Sequence, residues 1–464
     1  MGEPAPKVSV IKMYKAREEI YPREIKGWYA SWRWVFVWLT QIVFYGLPWL
    51  SWNDRQAVLF DLGARKFYIF GIVLWPQDFI YLAVLLIICA YALFLFTAVG
   101  GRLWCGYSCP QTVYTEMFMW IENKIEGNRS ARMRLDKQPW SMAKFGRKST
   151  KHLVWGALAL WTGFTFVGYF TPIDVLSKEV LSLELGPWQW FWILFYSLAT
   201  YGNAGWLREQ VCMYMCPYAR FQSSMLDKDT LIVTYDQERG EPRGASGKDA
   251  ARTGLGDCID CTMCVQVCPT GIDIRNGLQY ECIGCALCID ACDSVMDKVG
   301  LPRGLIRYST ENGMKQRLSS KDIWRRAFRP RVLVYTAILS VIVAVFIGSL
   351  LTRTPLKVDV IRDRGSMGRE VEDGMIENVY RLQIMNTDEF PHRYRITVSG
   401  LETIALATPD VVELQGTESR GVPVRVRVAP GKGEKGSNKI AFEVQALDDE
   451  RLRVKEKAVF IVPR

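Results

Sequence analysis

The sequence predicts a mixed, multi-domain chain: an α-helical membrane bundle of five spans, a small cysteine-rich module and a terminal antiparallel β-sandwich. Three observations predict it. Five stretches of 20 or more residues contain no Asp, Glu, Lys or Arg. Eight of the 13 cysteines crowd into residues 258–292. After residue 353 six short runs alternate apolar with polar residues, and no cysteine occurs there.

The uncharged stretches are 34–53, 79–101, 153–173, 185–207 and 332–352. Each is long enough for a helix to cross a hydrocarbon core of about 30 Å. Pro48 in the first, and Gly202, Asn203 and Gly205 in the fourth, predict frayed ends. Tryptophans at the edges, Trp28 to Trp38 and Trp188 to Trp192, suit belts at the membrane interface. The N-terminal residues 1–33 are polar and basic, without the pattern of a cleavable signal peptide.

Lysine and arginine counts orient the bundle, because basic loops stay on the cytoplasmic side. Residues 1–33 carry seven, the loop 54–78 three, the loop 102–152 ten and the loop 174–184 only Lys178. Arg325, Arg326, Arg329 and Arg331 precede the fifth span. The N-terminus and the cysteine module are therefore expected in the cytoplasm and the tail 353–464 on the exported side. That tail holds 19 basic against 18 acidic residues, so the net charge of +10 belongs to the membrane half. Nucleic-acid binding is not needed to explain it; the lipid bilayer is the expected partner of that half. Cysteines stay on the reducing side, which implies no disulfide framework.

Within 34–226 a weak repeat occurs. Cys105-Gly-Tyr107-Ser-Cys109-Pro110 follows the second span and Cys212-Met-Tyr214-Met-Cys216-Pro217 the fourth. Proline suits the first turn of a helix, so Cys109 and Cys216 are expected at N-caps, where the helix end favours a thiolate. Cys105 and Cys212 approach them if the preceding turn is coiled. Soft thiolates, with the weaker donors Met213 and Met215, select Cu(I); the alternative is four small thiols packing helix ends. Cys89, in mid-span, is expected to pack.

A polar tether is expected at 227–256, then a module at 257–310 in which Cys-x2-Cys-x2-Cys-x3-Cys occurs twice. Zinc needs only two close pairs with a longer spacer, so two compressed runs predict two [4Fe–4S] clusters. In such pairs the fourth thiolate of each run crosses to the other cluster. One cluster then takes Cys258, Cys261, Cys264 and Cys292, and the other Cys268, Cys282, Cys285 and Cys288. The second run ends Cys292-Asp293, without the proline that follows Cys268. Of the two histidines only His152 lies near the membrane, and one histidine cannot build a bis-histidine haem there; no Gly-x-Gly-x-x-Gly precedes a helix. A separate cytoplasmic electron donor is expected.

A basic linker, 311–331, leads to the fifth span. Beyond it, alternating runs at 357–361, 379–385, 394–398, 422–428, 440–444 and 458–462 predict an immunoglobulin-like sandwich over 353–464. His392 is expected to be a surface residue there.

This arrangement closely resembles the cytochrome c oxidase accessory family called CcoG or FixG. The resemblance covers the spans, both Cys-x3-Cys-Pro motifs, Arg-Gly-Glu-Pro-Arg-Gly at 239–244, the eight-cysteine region and the terminal domain. It implies a bacterial inner-membrane protein that supports assembly of a cbb(3)-type haem–copper oxidase and reduces Cu(II) to Cu(I), a cupric reductase. Copper is then substrate or bound ion, at Cys105, Cys109, Cys212 and Cys216, and oxidase subunits or copper carriers are partners. Two other readings stand beside it: a quinol-linked ferredoxin-type subunit, and a copper chaperone without turnover. The oligomeric state, a homo-oligomer included, is open.

Overall fold

The computed structural model describes residues 20–244, 254–363, 365 and 368–463. The first part of the basic N-terminus, 1–19, and part of the expected tether, 245–253, lie outside the described residues. The chain divides into two compact units. One comprises Met1–Gly46, Cys89–Val167 and Lys178–Leu339; the other comprises Leu47–Ile88, Gly168–Ser177 and Ser340–Arg464.

Among the described residues two helices are long and apolar enough to cross a membrane, Pro76–Gly100 and Pro330–Leu351. They match the second and fifth uncharged stretches. Their apolar windows are 0% and 6% buried, so they are not core helices of a soluble fold. The other three stretches are built differently from five uniform spans. The first helix, Trp28–Gly46, starts ahead of its stretch and takes in Arg33. It stops before Pro48, where a short 3-10 turn, Leu47–Trp49, and then a strand follow. The third, Met142–Val167, draws its first three turns from the basic loop and ends well before residue 173, where a separate helix, Ile173–Ser182, begins. The fourth, Pro187–Thr200, widens into a π-helix over Tyr201–Leu207, and a second π-turn spans Val211–Met215. Gly202, Asn203 and Gly205 sit in the first of these turns, where the regular ladder gives way.

The cysteine module is built on two matching loops. Asp260 and Thr262 flank Cys261 with φ of 53° and 55°; Gly284 and Ala286 flank Cys285 with 66° and 61°. Left-handed backbone at a Thr and an Ala is uncommon, and its recurrence at equivalent positions makes the two loops one repeated motif. Short helices Met263–Gln266 and Leu287–Val299 follow. The described part of the tether is not flexible linker. Its alternating Ile232–Tyr235 forms a strand paired antiparallel with Ile306–Ser309, and Arg239 is held by Asp257 at 2.5 Å. The linker region carries two short helices, Glu311–Lys315 and Ser320–Ala327.

In the second unit, strands Ala405–Leu406, Ser419–Val428, Ile376–Asn386 and Leu356–Arg362 lie in that order in one sheet, with Arg369–Glu370 also on Ile376–Asn386. Val411–Leu414, His392–Ser399, Gly436–Ala446 and Arg453–Val462 make the other. Alternate residues of both sheets, among them Tyr380, Leu382, Tyr394 and Phe442, form one buried core, as a sandwich requires. The six expected strands all form, each longer than its alternating run. The first loop also folds: Val58–Asp61, Lys66–Ile69 and Ile72–Leu74 form a small sheet. Beside it buried Asp78 binds Arg353 at 2.9 Å and also Lys357. His392 is not a free surface side chain; its Nδ1 and Nε2 lie 2.6 and 3.4 Å from Asp448 and Asp388.

Candidate functional site

The eight module cysteines line two separate cavities. Cys258, Cys261, Cys264 and Cys292 line one, and Cys268, Cys282, Cys285 and Cys288, with Cys264 again, line the other. The division follows the crossed pattern: Cys292 stands with the first run and Cys268 with the second. Burial raises Cys292 to about 12, and the nearby thiols of Cys264, Cys261 and Cys258 add to the shift. Burial likewise raises Cys282 to about 12, and Cys285 and Cys268 add to it.

These surroundings fit an iron–sulfur group in each cage. Among the described residues no three His, Cys, Asp or Glu side chains are close enough to hold a single ion; a polynuclear group keeps its ligands apart. The donors are all thiols. Backbone amides of Val265, Gly284 and Leu287 donate to Cys264, Cys282 and Cys285, as in the amide-lined turns that hold such centres. Arg33, 3% exposed and beside Cys285 and Cys268, has a buried Nη1 with no hydrogen-bond partner in the protein. Buried donors are rarely left unpaired, and a sulfur-rich anion bound in the second cage would supply what Arg33 lacks.

The membrane-edge motifs converge. Cys109 and Cys216 are the N-caps of helices Pro110–Glu126 and Pro217–Met225, with proline in the first turn of each. The turns before them are coiled: Leu103–Tyr107 is α-helical and Val211–Met215 is π-helical. Cys105 feels Cys109 and Cys216, and Cys212 feels Cys109, Cys105 and Cys216, so the four thiols share one neighbourhood, although as they stand no three of them are close enough to hold a single ion. Gln111 ties the first motif to the chain just ahead of the second, donating to the carbonyls of Asn203 at 2.9 Å and Arg208 at 3.1 Å. One expectation is corrected. The amides of Thr112 and Gln111 do favour a Cys109 thiolate, but burial outweighs them and raises its pKa. Burial also raises Cys105 to about 11 and Cys212 to about 12. Cys105, Cys109 and Cys212 hold their protons at neutral pH until a metal displaces them. Met213 is half-buried, Met215 is 58% exposed, and Cys89 is exposed rather than packed.

Sequence reasoning missed how these two sites meet. A Cβ on Gly106 would lie 2.9 Å from both the Cα of Cys285 and the carbonyl oxygen of Ile283. The turn carrying Cys105 and Cys109 therefore rests on the backbone of the second cage. Tyr107 adds a hydroxyl donated to the Cys285 carbonyl at 3.4 Å. Arg102, 8% exposed, donates to the carbonyls of Tyr280 and Cys282 on one side and Ala219 at 2.5 Å on the other. The one sequence signal was an asymmetry between the copies: glycine at 106 where the second copy has Met213.

Two cysteine cages and a thiol group against one of them define an iron–sulfur, ferredoxin-type electron-transfer protein. Residues 207–311 match a family model described as a 4Fe-4S dicluster domain, and residues 82–128 one described as a 4Fe-4S binding domain. Residues 346–463 match the IG-like fold at the C-terminal of FixG. The chain belongs to the FixG/RdxA family. It is 38% identical, over 94% of its length and 91% of the relative's, to Nitrogen fixation protein FixG of Rhizobium meliloti. It is 41% identical to Protein RdxA of Cereibacter sphaeroides over 84% of each chain, and 39% identical to Protein RdxB of that organism over 92% of each. A crystal structure of a FixG-related protein from Vibrio parahaemolyticus covers 23% of this chain and 96% of its own, at 24% identity and a TM-score of 0.22.

Proposed function

We propose that this chain is a multi-pass protein of the bacterial inner membrane that reduces Cu(II) to Cu(I) for copper-site assembly of a cbb(3)-type oxidase. The observation that carries the reading is the seat of Gly106 on Cys285, which brings the paired thiols against the second cage. Cys258, Cys261, Cys264 and Cys292 would hold one [4Fe–4S] group and Cys268, Cys282, Cys285 and Cys288 the other. Such groups, when bound, supply one-electron redox chemistry. Cys105, Cys109, Cys212 and Cys216 receive copper as substrate. Each Cu(II) takes up one electron, originating with a cytoplasmic donor, and the soft thiolates hold the Cu(I) that results. Copper binding displaces the thiol protons, so no separate proton-transfer residue is required.

The sidedness follows from the lysine and arginine counts of the loops. The N-terminus and cages are then cytoplasmic, and the sandwich is periplasmic, where oxidase subunits or a copper carrier would dock. In this reading the helices Trp28–Gly46, Met142–Val167 and Pro187–Thr200 complete a five-span bundle.

A second reading, a quinol-linked subunit, has one observation in its favour. His152 Nδ1 lies 2.8 Å from the Tyr201 hydroxyl, and its ring stacks 5.8 Å from Trp206 on the same π-helix, a helical form frequent at functional sites. The test is anaerobic purification with iron and sulfide analysis, then Cu(II) reduction with an artificial donor and no quinone. The copper reading expects about eight irons per chain and sustained Cu(I) formation. Turnover that requires quinol would favour the second reading, and stoichiometric copper binding without turnover would favour a chaperone.

A further inference from the structure

The two cages sit in opposite electrostatic surroundings. Beside the first, Arg275 is neutralised twice over, by Asp273 at 2.7 Å and by Asp260, and Asp293 adds a further negative charge near Cys292. Beside the second, Arg33 has one carboxylate, Glu116, at 2.8 Å. Arg102 has none: among the described residues its partners are carbonyl oxygens of Tyr280, Cys282 and Ala219. A guanidinium 8% exposed without a counter-charge is costly, because buried charges are normally paired or face a metal centre. The thiols that feel its charge are Cys282 of the second cage on one side and Cys105 and Cys212 on the other, and a group bound there would supply the missing negative charge. Net charge near a cluster, together with hydrogen bonds and exposure, sets its reduction potential. Cys261 is exposed while the other three first-cage cysteines are buried; in the second cage Cys285 is buried and the other three are half-buried.

We propose that Arg102 raises the reduction potential of the second cage, Cys268, Cys282, Cys285 and Cys288, above that of the first. An electron added to the module is thereby held on the side of the paired thiols, and the exposed Cys261 side faces the donor. Arg102 acts as a positioning residue in this role: it supplies fixed positive charge between the cage loop 280–285 and the helix that follows Cys216. The inference rests on the cluster reading above.

The experiment is a redox titration followed by EPR on the full-length protein purified anaerobically, with iron counted in the same samples. The parent should show two separate midpoints. Arg102→Gln should lower the upper one by at least a tenfold change in its one-electron equilibrium, 59 mV, and leave the lower one in place. Arg102→Lys keeps the charge while losing the fork of hydrogen bonds, so it should restore most of the shift. Glu116→Gln frees the charge of Arg33 and should move the upper midpoint the opposite way, a check that stands even if Arg102→Gln does not fold. Coincident midpoints in the parent overturn the proposal. So does a shift of the lower midpoint by Arg102→Gln, a lysine variant that behaves as the glutamine one, or a downward shift in Glu116→Gln. Iron near four per chain instead of about eight overturns the two-cluster reading itself, and the proposal with it.

Discussion

The carboxylate of Asp290 accepts the backbone amide of Ala30 at 2.8 Å and that of Tyr29 at 3.3 Å. A residue between two cage cysteines thus caps the first turn of the helix Trp28–Gly46, and Gly27 packs against the same carboxylate. The cap fastens that helix, with Arg33 one turn further on, to the second cage. Asp290→Ala should cost about 1 kcal/mol, the usual value for a lost N-cap, and Asp290→Asn should recover most of it. Thermal unfolding in detergent compares the three. Equal melting temperatures for parent and alanine variant would remove the cap from the account.

Gly106 is the tightest point between the thiol motifs and the cages. A methyl group there meets backbone, which cannot swing away as a side chain can, so Gly106→Ala should cost about 1–3 kcal/mol as overpacking does. It should slow copper reduction by more than its loss of folded protein accounts for. Gly146, in the helix Met142–Val167, has nothing within 4 Å of its Cβ position. Gly146→Ala should therefore leave copper reduction unchanged and gain up to about 1 kcal/mol from helix propensity. Similar losses in both variants would mean that the Gly106 contact has no special part.

The raised thiols predict alkaline sensitivity in copper-free protein. Folded Cys105 and Cys212 hold protons up to about 11 and about 12, whereas an unfolded cysteine releases its proton near pH 8.5. Across that window the folded state binds more protons than the unfolded state. Stability therefore falls as pH rises through it and is fully present below it. Melting temperatures between pH 8 and pH 10 should drop less steeply in a Cys105→Ser, Cys212→Ser variant. The same protons are released when copper binds, so apparent Cu(I) affinity should rise with pH over the same range.

Local spacing made much of the site legible and long-range packing hid the rest. The eight cage cysteines and the N-caps at Cys109 and Cys216 are short-range patterns: cysteine intervals, and a proline next in sequence. The sandwich was equally readable, because burial alternates over 379–384, with Tyr380, Leu382 and Ile384 buried. Arg102 could not be placed, since it meets Tyr280 across 178 residues of sequence. The raised thiol pKa values were hidden for a related reason, because the helix end is local and burial is not. Absence of charge alone was a poor guide to helix limits, but Pro48 and the Gly202, Asn203 and Gly205 group did mark where the first helix stops and where the fourth widens into a π-turn.

The paired motifs give the last prediction. If Cys109 and Cys216 bind copper, Cys109→Ser and Cys216→Ser should each reduce copper affinity and copper-reducing activity. Iron content should stay near that of the parent, because the cage thiols are a separate set. Serine has a similar size and still caps a helix, so both helices should survive while the soft donor is lost. Under a packing-only role the same changes would cost about 1 kcal/mol of stability and leave copper chemistry intact. A quinol-linked role would instead show as altered quinone-dependent turnover with unchanged copper affinity. The double variant is the sharper case, since each remaining motif cysteine, Cys105 and Cys212, then stands without its N-cap partner. If it still binds and reduces copper at the parental rate, the four thiols are not the copper site, and the two cages remain as the chemistry of this chain.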